Sequence, residues 1–195
     1  LDVIPLPAES SQVDWEAELV VVLGRGGRNV STEEALDLVA GYATGNDVSA
    51  RSVDYGLSRD VGTVGASAVW FFDWLAGKSF DAFAPYGPYL VTTDEVEDPQ
   101  DLDVTLEVNG KRRQDGNTRD MIFTVAELIA FCSRLMTLEA GDVIFTGTPA
   151  GVGPATGEFL QTGDEMVVGI RDLGPRRQPG HCSDNPLTAA PDPRT

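Results

Sequence analysis

Glu16, Glu18 and Asp47 are the residues whose types and spacing could do chemistry. The two glutamates lie in Glu16-Ala17-Glu18-Leu19-Val20-Val21-Val22-Leu23, which reads as a strand: short, rich in β-branched residues and closed by glycines. Side chains alternate along a strand, so residues two apart project from one face and both carboxylates point together. Asp47 falls in Gly45-Asn46-Asp47-Val48-Ser49-Ala50-Arg51, where a loop could bring the chain back to that strand end. Three hard oxygen ligands meeting at a point would suit Mg²⁺, Mn²⁺ or Ca²⁺ and leave coordination positions for water and substrate. Taken alone, an E-x-E pair reads more readily as a solvated strand face, and Asp47 as a turn residue.

The elements that must position these groups follow from the rest of the chain. Residues 1 to 14 are Pro-rich and acidic and read as an extended lead-in. After the glycine turn at 24–29, Ser31-Thr32-Glu33-Glu34 has capping-box form and predicts a helix with Ala35, Leu38, Val39 and Tyr42 on one face, ending near Gly45. Strand, glycine turn and helix invite a dinucleotide-binding reading. It fails in detail, because Asn29 stands at the third glycine position and Asp47 does not end a second apolar strand. Residues 52 to 76 read as a glycine-rich loop followed by an aromatic segment, Ala68 to Leu75, and prolines and glycine mark bends from Phe83 to Val91.

From Leu102 the alternation is clear, with Leu102, Val104, Leu106 and Val108 on one face. Asn109-Gly110 is a two-residue turn tolerant of positive φ, and Lys111 to Gln114 return as the partner strand. Thr124-Val125-Ala126-Glu127 is a second capping box, opening a helix with Leu128, Cys132, Leu135 and Met136 on one stripe and Gly141 as its C-terminal cap. Val143 to Thr146 is expected as a buried strand and Met166 to Ile170 as the last one. Residues 1–178 then form a single domain, and the Pro-, Asp- and Asn-rich residues 179–195 a disordered tail. Seven or more strands, two short helices and no strand–helix alternation predict an α+β, mostly β architecture.

Composition narrows the partners. The formal charge of −17, with no basic cluster, argues against nucleic acid and anionic membrane. No apolar run approaches the ~18 residues of a membrane helix. No leader is read in Leu1 to Pro7, which resembles the continuation of a longer chain. Cys132 and Cys182 form no spacing pattern, so a reduced, cytoplasmic compartment is expected. A small anionic substrate would need local cations.

Taken jointly, five stretches resemble the fumarylacetoacetate hydrolase family in order and rough spacing. They are Asp14-Trp15-Glu16-Ala17-Glu18-Leu19, Gly45 to Arg51, Lys78-Ser79-Phe80-Asp81, Arg113-Gln114-Asp115 with Asn117-Thr118, and Gly141 to Pro149. The resemblance covers about Asp14 to Leu173. It implies a roll of stacked mixed β-sheets, usually a homodimer, that binds Mg²⁺, Mn²⁺ or sometimes Ca²⁺ through residues matching Glu16, Glu18 and Asp47. It further implies a catalytic lysine at Lys78 and substrate contacts at Arg51, Gln114, Thr146 and Gly147. The substrates it implies are 2-oxo or 2,4-dioxo acids, undergoing C–C hydrolysis, decarboxylation or isomerisation. A 2-oxo acid chelates a metal through carboxylate and keto oxygens, and a nearby ammonium stabilises the enolate left when a C–C bond breaks.

Two departures qualify the resemblance. Members commonly continue Ser-Ala-Arg with Asp-x-Gln, whereas Ser52-Val53-Asp54 stands here. Neither the G-x-N-Y-x-x-H motif nor the lid His and Glu that activate water in many members occurs, and the one histidine, His181, matches no motif. Hydrolysis therefore lacks an evident base, and decarboxylation, which needs none, is the expected activity of the chain as it stands. A second reading, from another class, is a catalytically weak ligand-binding or assembly protein, favoured by that missing base and by the aromatic segment Trp70 to Trp74.

Overall fold

The protein is described by a computed structural model over residues 3–53 and 74–182. Asp54, the 52–76 loop except its two ends, most of the aromatic segment and the tail from 183 lie outside the described residues. In chain order the strands are β1 (Ile4–Leu6), β2 (Val13–Asp14), β3 (Ala17–Leu23), β4 (Val39–Asn46), β5 (Ser49–Ala50) and β6 (Val91–Thr92). There follow β7 (Asp103–Val108), β8 (Lys111–Asn117), β9 (Val143–Phe145), β10 (Glu165–Ile170) and β11 (Gly174–Cys182). Helices α1 (Thr32–Ala35), α2 (Val125–Leu135) and α3 (Gly153–Thr156) are short. The fold is a mostly β α+β roll: a five-stranded sheet ordered β1-β11-β10-β7-β8, a four-stranded sheet ordered β6-β4-β3-β9, and the small pair β2-β5. The first sheet is mixed, because β1 runs parallel to β11 while its other pairs are antiparallel.

The core lies where these sheets face each other. Leu102, Val104, Leu106 and Val108 are buried, as alternation predicts, and meet Met166, Val168 and Ile170 of β10 on the same side. From the other sheet come Leu19, Val21 and Leu23. The 109–110 turn forms as expected, with φ of 52° at Asn109 and 74° at Gly110. No helix among the described residues is long and apolar enough to cross a membrane.

Several expectations are corrected. The helix from Ser31 stops after Ala35: Ser31 N and Oγ do bond to Glu34, but a 3-10 turn (Leu36–Leu38) ends the helical stretch and Val39 onward is strand. Gly41 and Gly45 would each cost about 1 kcal/mol in a helix interior. As β4, the same residues pair with β3 from Ala17↔Asn46 to Leu23↔Val39. In α2 the capping box at Thr124 holds, but the buried stripe is Val125, Ile129, Ala130 and Ser133, while Leu135 and Met136 are exposed. Gly141 does not cap that helix; with φ +94° it turns the chain into β9. β9 is half-buried rather than fully buried because it lies at a sheet edge. Met166 to Ile170 is not the last strand. β11 follows, and residues 180–182, expected in the tail, pair with Ile4 to Leu6.

Candidate metal centre

The β3–β4 register assembles the site. Glu18 stands opposite Gly45, where a Cβ would collide with the side chain of Val20, and Ala17 stands opposite Asn46. Glu16 and Asp47 thus lie side by side just beyond the paired ends, tied by Asp47 N donating to Glu16 O at 2.9 Å. One carboxylate oxygen from each of Glu16, Glu18 and Asp47 lies within 4.8 Å of the others. The helix expected before Asp47 is therefore replaced by a hairpin-like return, which delivers Asp47 more directly than a loop would.

Two cations are locked into this cluster. Lys78 Nζ donates to Glu16 Oε2 at 2.8 Å, to Asp47 Oδ2 at 2.5 Å and to Ser49 Oγ at 2.9 Å. Arg51 donates through Nε and Nη2 to the two oxygens of Asp14, at 2.8 and 3.1 Å, and through Nη2 to Glu16 Oε1 at 2.5 Å. Burial works against the charge of both, but the carboxylates prevail and hold Arg51 and Lys78 above their ordinary pKa. Lys78 is consequently an ammonium at neutral pH, able to stabilise negative charge or donate a proton but not to accept one.

Glu18 differs from its neighbours. It is buried, its Oε2 accepts a 2.7 Å bond from Gly147 N, and among the described residues no cationic side chain hydrogen-bonds it. Burial, with Asp47 and Glu16 alongside, raises its pKa to about 8 against the pull of the Gly147 N–H. Asp47 is also raised, chiefly by burial, which outweighs its bond to Lys78. A buried carboxyl to which no cationic side chain among the described residues donates, beside two further carboxylates, is a donor set that fits a divalent ion, which would supply compensating charge.

Residues 146–153 close the site from the side of β9. Thr146 N and Oγ1 both donate to Leu19 O, and Gly147, at φ +99°, aims its N–H at Glu18 in a conformation that favours glycine. Gln114 is fully buried, its Oε1 accepting from Ala17 N and its Nε2 donating to Thr148 Oγ1 and Pro149 O. Its amide is thus committed to bracing β3 against this loop. Arg51 likewise braces Glu16. Thr146 and Gly147 border a cavity of about 560 Å³, completed by Leu19, Val104 and side chains between Asp115 and Leu128. Lys78 borders another of about 570 Å³ with residues 79–86 and Arg176. Neither lining includes the three carboxylates; Gly147 links the site to the first cavity and Lys78 to the second.

Sequence reasoning missed Asp14, Asn46 and Ser49. Asp14 is fully buried, receives Arg51 and Gly153 N, and is pushed to about 6 by burial despite Arg51. The period-two signal was present: Asp14, Glu16 and Glu18 are spaced by two, as are Asp47 and Ser49.

A 2,4-didehydro-3-deoxy-L-rhamnonate hydrolase from Sphingomonas sp. (strain SKA58) is 48% identical over 180 residues, covering 91% of this chain and 59% of its own. Among solved structures, fumarylacetoacetate hydrolase from Exiguobacterium antarcticum is 39% identical with a TM-score of 0.80, covering 93% of this chain and 61% of that one. Maleylpyruvate hydrolase from Sphingobium sp. SYK-6, in complex with manganese(II) and pyruvate, is 34% identical with a TM-score of 0.76, over 93% and 59%. The chain thus spans about three-fifths of the length of these relatives. The family described as fumarylacetoacetate (FAA) hydrolase, C-terminal, matches residues 1–179, and the chain belongs to that family.

Proposed function

We propose that this chain carries the centre of a divalent-metal-dependent enzyme that cleaves a C–C bond in 2-oxo or 2,4-dioxo acids. The observation that carries the reading is the Lys78 ammonium bonded to two of three clustered carboxylates, the third of which, Glu18, is hydrogen-bonded by no cationic side chain among the described residues. Glu16, Glu18 and Asp47 would hold Mg²⁺ or Mn²⁺, which when bound supplies Lewis acidity toward the substrate's keto and carboxylate oxygens. A manganese ion and pyruvate in the related maleylpyruvate hydrolase support that choice.

The chain's own residues do the rest. Arg51 pins Glu16, and Gly147 N–H orients Glu18, so the ligand carboxylates need little reorganisation. Lys78 places a positive charge where negative charge develops as the C–C bond breaks, and its proton is available to the carbanion or enolate left behind. Thr146 and Gly147, on the cavity wall, are placed to border the substrate. Acylpyruvate-type hydrolysis, the reaction the resemblance puts first, needs a base that Lys78 cannot be, so the described residues by themselves support oxaloacetate-type decarboxylation, with isomerisation of hydroxy-oxo-dienoates as a further alternative on the same site. Oxaloacetate, acylpyruvates and hydroxy-oxo-dienoates should be assayed with Mg²⁺ and Mn²⁺, with and without chelator. Chelator-sensitive turnover of one class is expected; no metal-dependent turnover of any would sink the proposal. The exposed side chains of Ile122, Phe123, Phe131 and Leu135 favour association of copies, and sedimentation velocity would test the expected homodimer.

A further inference from the structure

Asn46 ends β4 one residue before Asp47 and is fully buried. Its Oδ1 accepts a 3.0 Å bond from Glu16 N, while Asp47 N donates back to Glu16 O. Two bonds of opposite direction therefore cross-link the backbones that carry two of the three carboxylates. The other end of the Asn46 amide reaches the second sheet: Nδ2 donates to Gln178 Oε1 of β11 at 2.8 Å and lies 3.5 Å from Met166 Sδ.

Donor and acceptor identities propagate along this chain of groups. A main-chain N–H can only donate, so Asn46 must turn its oxygen to Glu16 and its nitrogen to Gln178, which must in turn present oxygen. Gln178 is fully buried, and its Nε2 has no hydrogen-bond partner among the described residues. An unpaired buried amide nitrogen is costly. An apolar side chain of similar size would fill the same space without that cost, so what Gln178 contributes is its acceptor oxygen.

We propose that Gln178 and Asn46 are positioning residues of the divalent-ion site, forming a relay that sets Glu16 and Asp47 from the five-stranded sheet. The inference rests on the metal reading above, and neither residue belongs to the three-carboxylate cluster. Partners of this kind commonly change metal affinity by roughly 10- to 100-fold.

Calorimetric titration of Mn²⁺ into wild type, Asn46→Leu, Gln178→Met and Gln178→Glu tests it without any activity assay. Asn46→Leu and Gln178→Met, folded by circular dichroism, should weaken Mn²⁺ by roughly tenfold or more. Gln178→Glu, which keeps an acceptor oxygen, should recover most of the affinity. A purely structural role would lower the melting temperature of Gln178→Met and leave its Kd unchanged, which overturns the relay. Should Gln178→Met fail to fold, Gln178→Leu also lacks an acceptor and is read the same way. A wild type that binds no Mn²⁺ overturns the metal reading and the relay with it, whereas wild-type Kd in every variant overturns the relay alone.

Discussion

Replacing Glu18 by Gln should move metal affinity and metal-free stability in opposite directions. The Glu18 carboxyl titrates near 4.5 when unfolded and near 8 in the folded, metal-free chain. Between those values the folded protein holds a proton that the unfolded chain has released. Stability is therefore full below about pH 4.5, falls as pH rises toward 8, and levels off above it. A tenfold change in proton affinity is worth about 1.4 kcal/mol, so the window amounts to a few kcal/mol. Asp14 and Asp47, both raised, act with the same sign. Glutamine cannot ionise and keeps an oxygen for the Gly147 N–H. At pH 8.5 with chelator, Glu18→Gln should be more stable than wild type by an amount on the order of a few kcal/mol, and at pH 4.5 nearly equal to it. Mn²⁺ binding by wild type should strengthen about tenfold per pH unit up to about pH 8, because the ion displaces one proton. In the variant, binding should be lost. Urea unfolding at three pH values and calorimetry read both quantities. A variant less stable than wild type at pH 8.5, or one that binds Mn²⁺ undiminished, would refute the reasoning.

Lys78→Met should lower kcat by ~10²–10³ while changing the Mn²⁺ Kd far less, since its charge acts on the developing anion; activity within about twofold of wild type would return Lys78 to a structural role. Asp47→Asn should abolish Mn²⁺ binding in the same titration, and retained affinity would remove it from the ligand set. Arg51→Met strands the buried Asp14 and should cost roughly 3–5 kcal/mol by urea unfolding, with partial recovery in the Asp14→Asn double variant. A loss below about 1 kcal/mol, the scale of an exposed pair, would contradict that. Leu106→Ala, at a fully buried position of β7, should cost about 2–5 kcal/mol, read as a shifted urea midpoint.

How much of the fold could be read in advance varies with the range of the signal. The β7–β8 hairpin was legible because alternation and an Asn-Gly turn are local, and both act within 16 residues of chain. β4 was not. Ala35, Leu38, Val39 and Tyr42 happen to satisfy a helical period, and what decides against the helix is that residues 39–46 pair with β3 along its whole length. Tertiary pairing overrode a local pattern weakened by two glycines. β11 was hidden for a similar reason: Pro175, Arg176 and Arg177 carry no strand pattern and the tail was expected from Pro179, yet Arg176 and Gln178 are buried in a strand that lies between β10 and β1.

The site divides along the same line. Glu16, Glu18 and Asp47, the proposed ligands, were picked out by type and spacing and Lys78 by the family resemblance, and the fold brings the four together. Residues whose role is to hold those charges could not be found from type and spacing, since a bracing side chain has the same type as a surface one until its partner is known. Arg51 and Gln114 show the consequence. Both were expected to face substrate, and in the fold their donors are directed to Asp14 and Glu16, and to Thr148 and Pro149. Gln114 also accepts from Ala17 N, between the two glutamates, so one amide joins the strand carrying the ligands to the loop whose Gly147 orients Glu18. Among the described residues, three clustered carboxylates with Asp14, Arg51 and Lys78 bonded around them tolerate little movement. Each brace that fixes a backbone atom removes a way for the carboxylates to relax apart, and that preorganisation would favour the divalent ion proposed for the cluster.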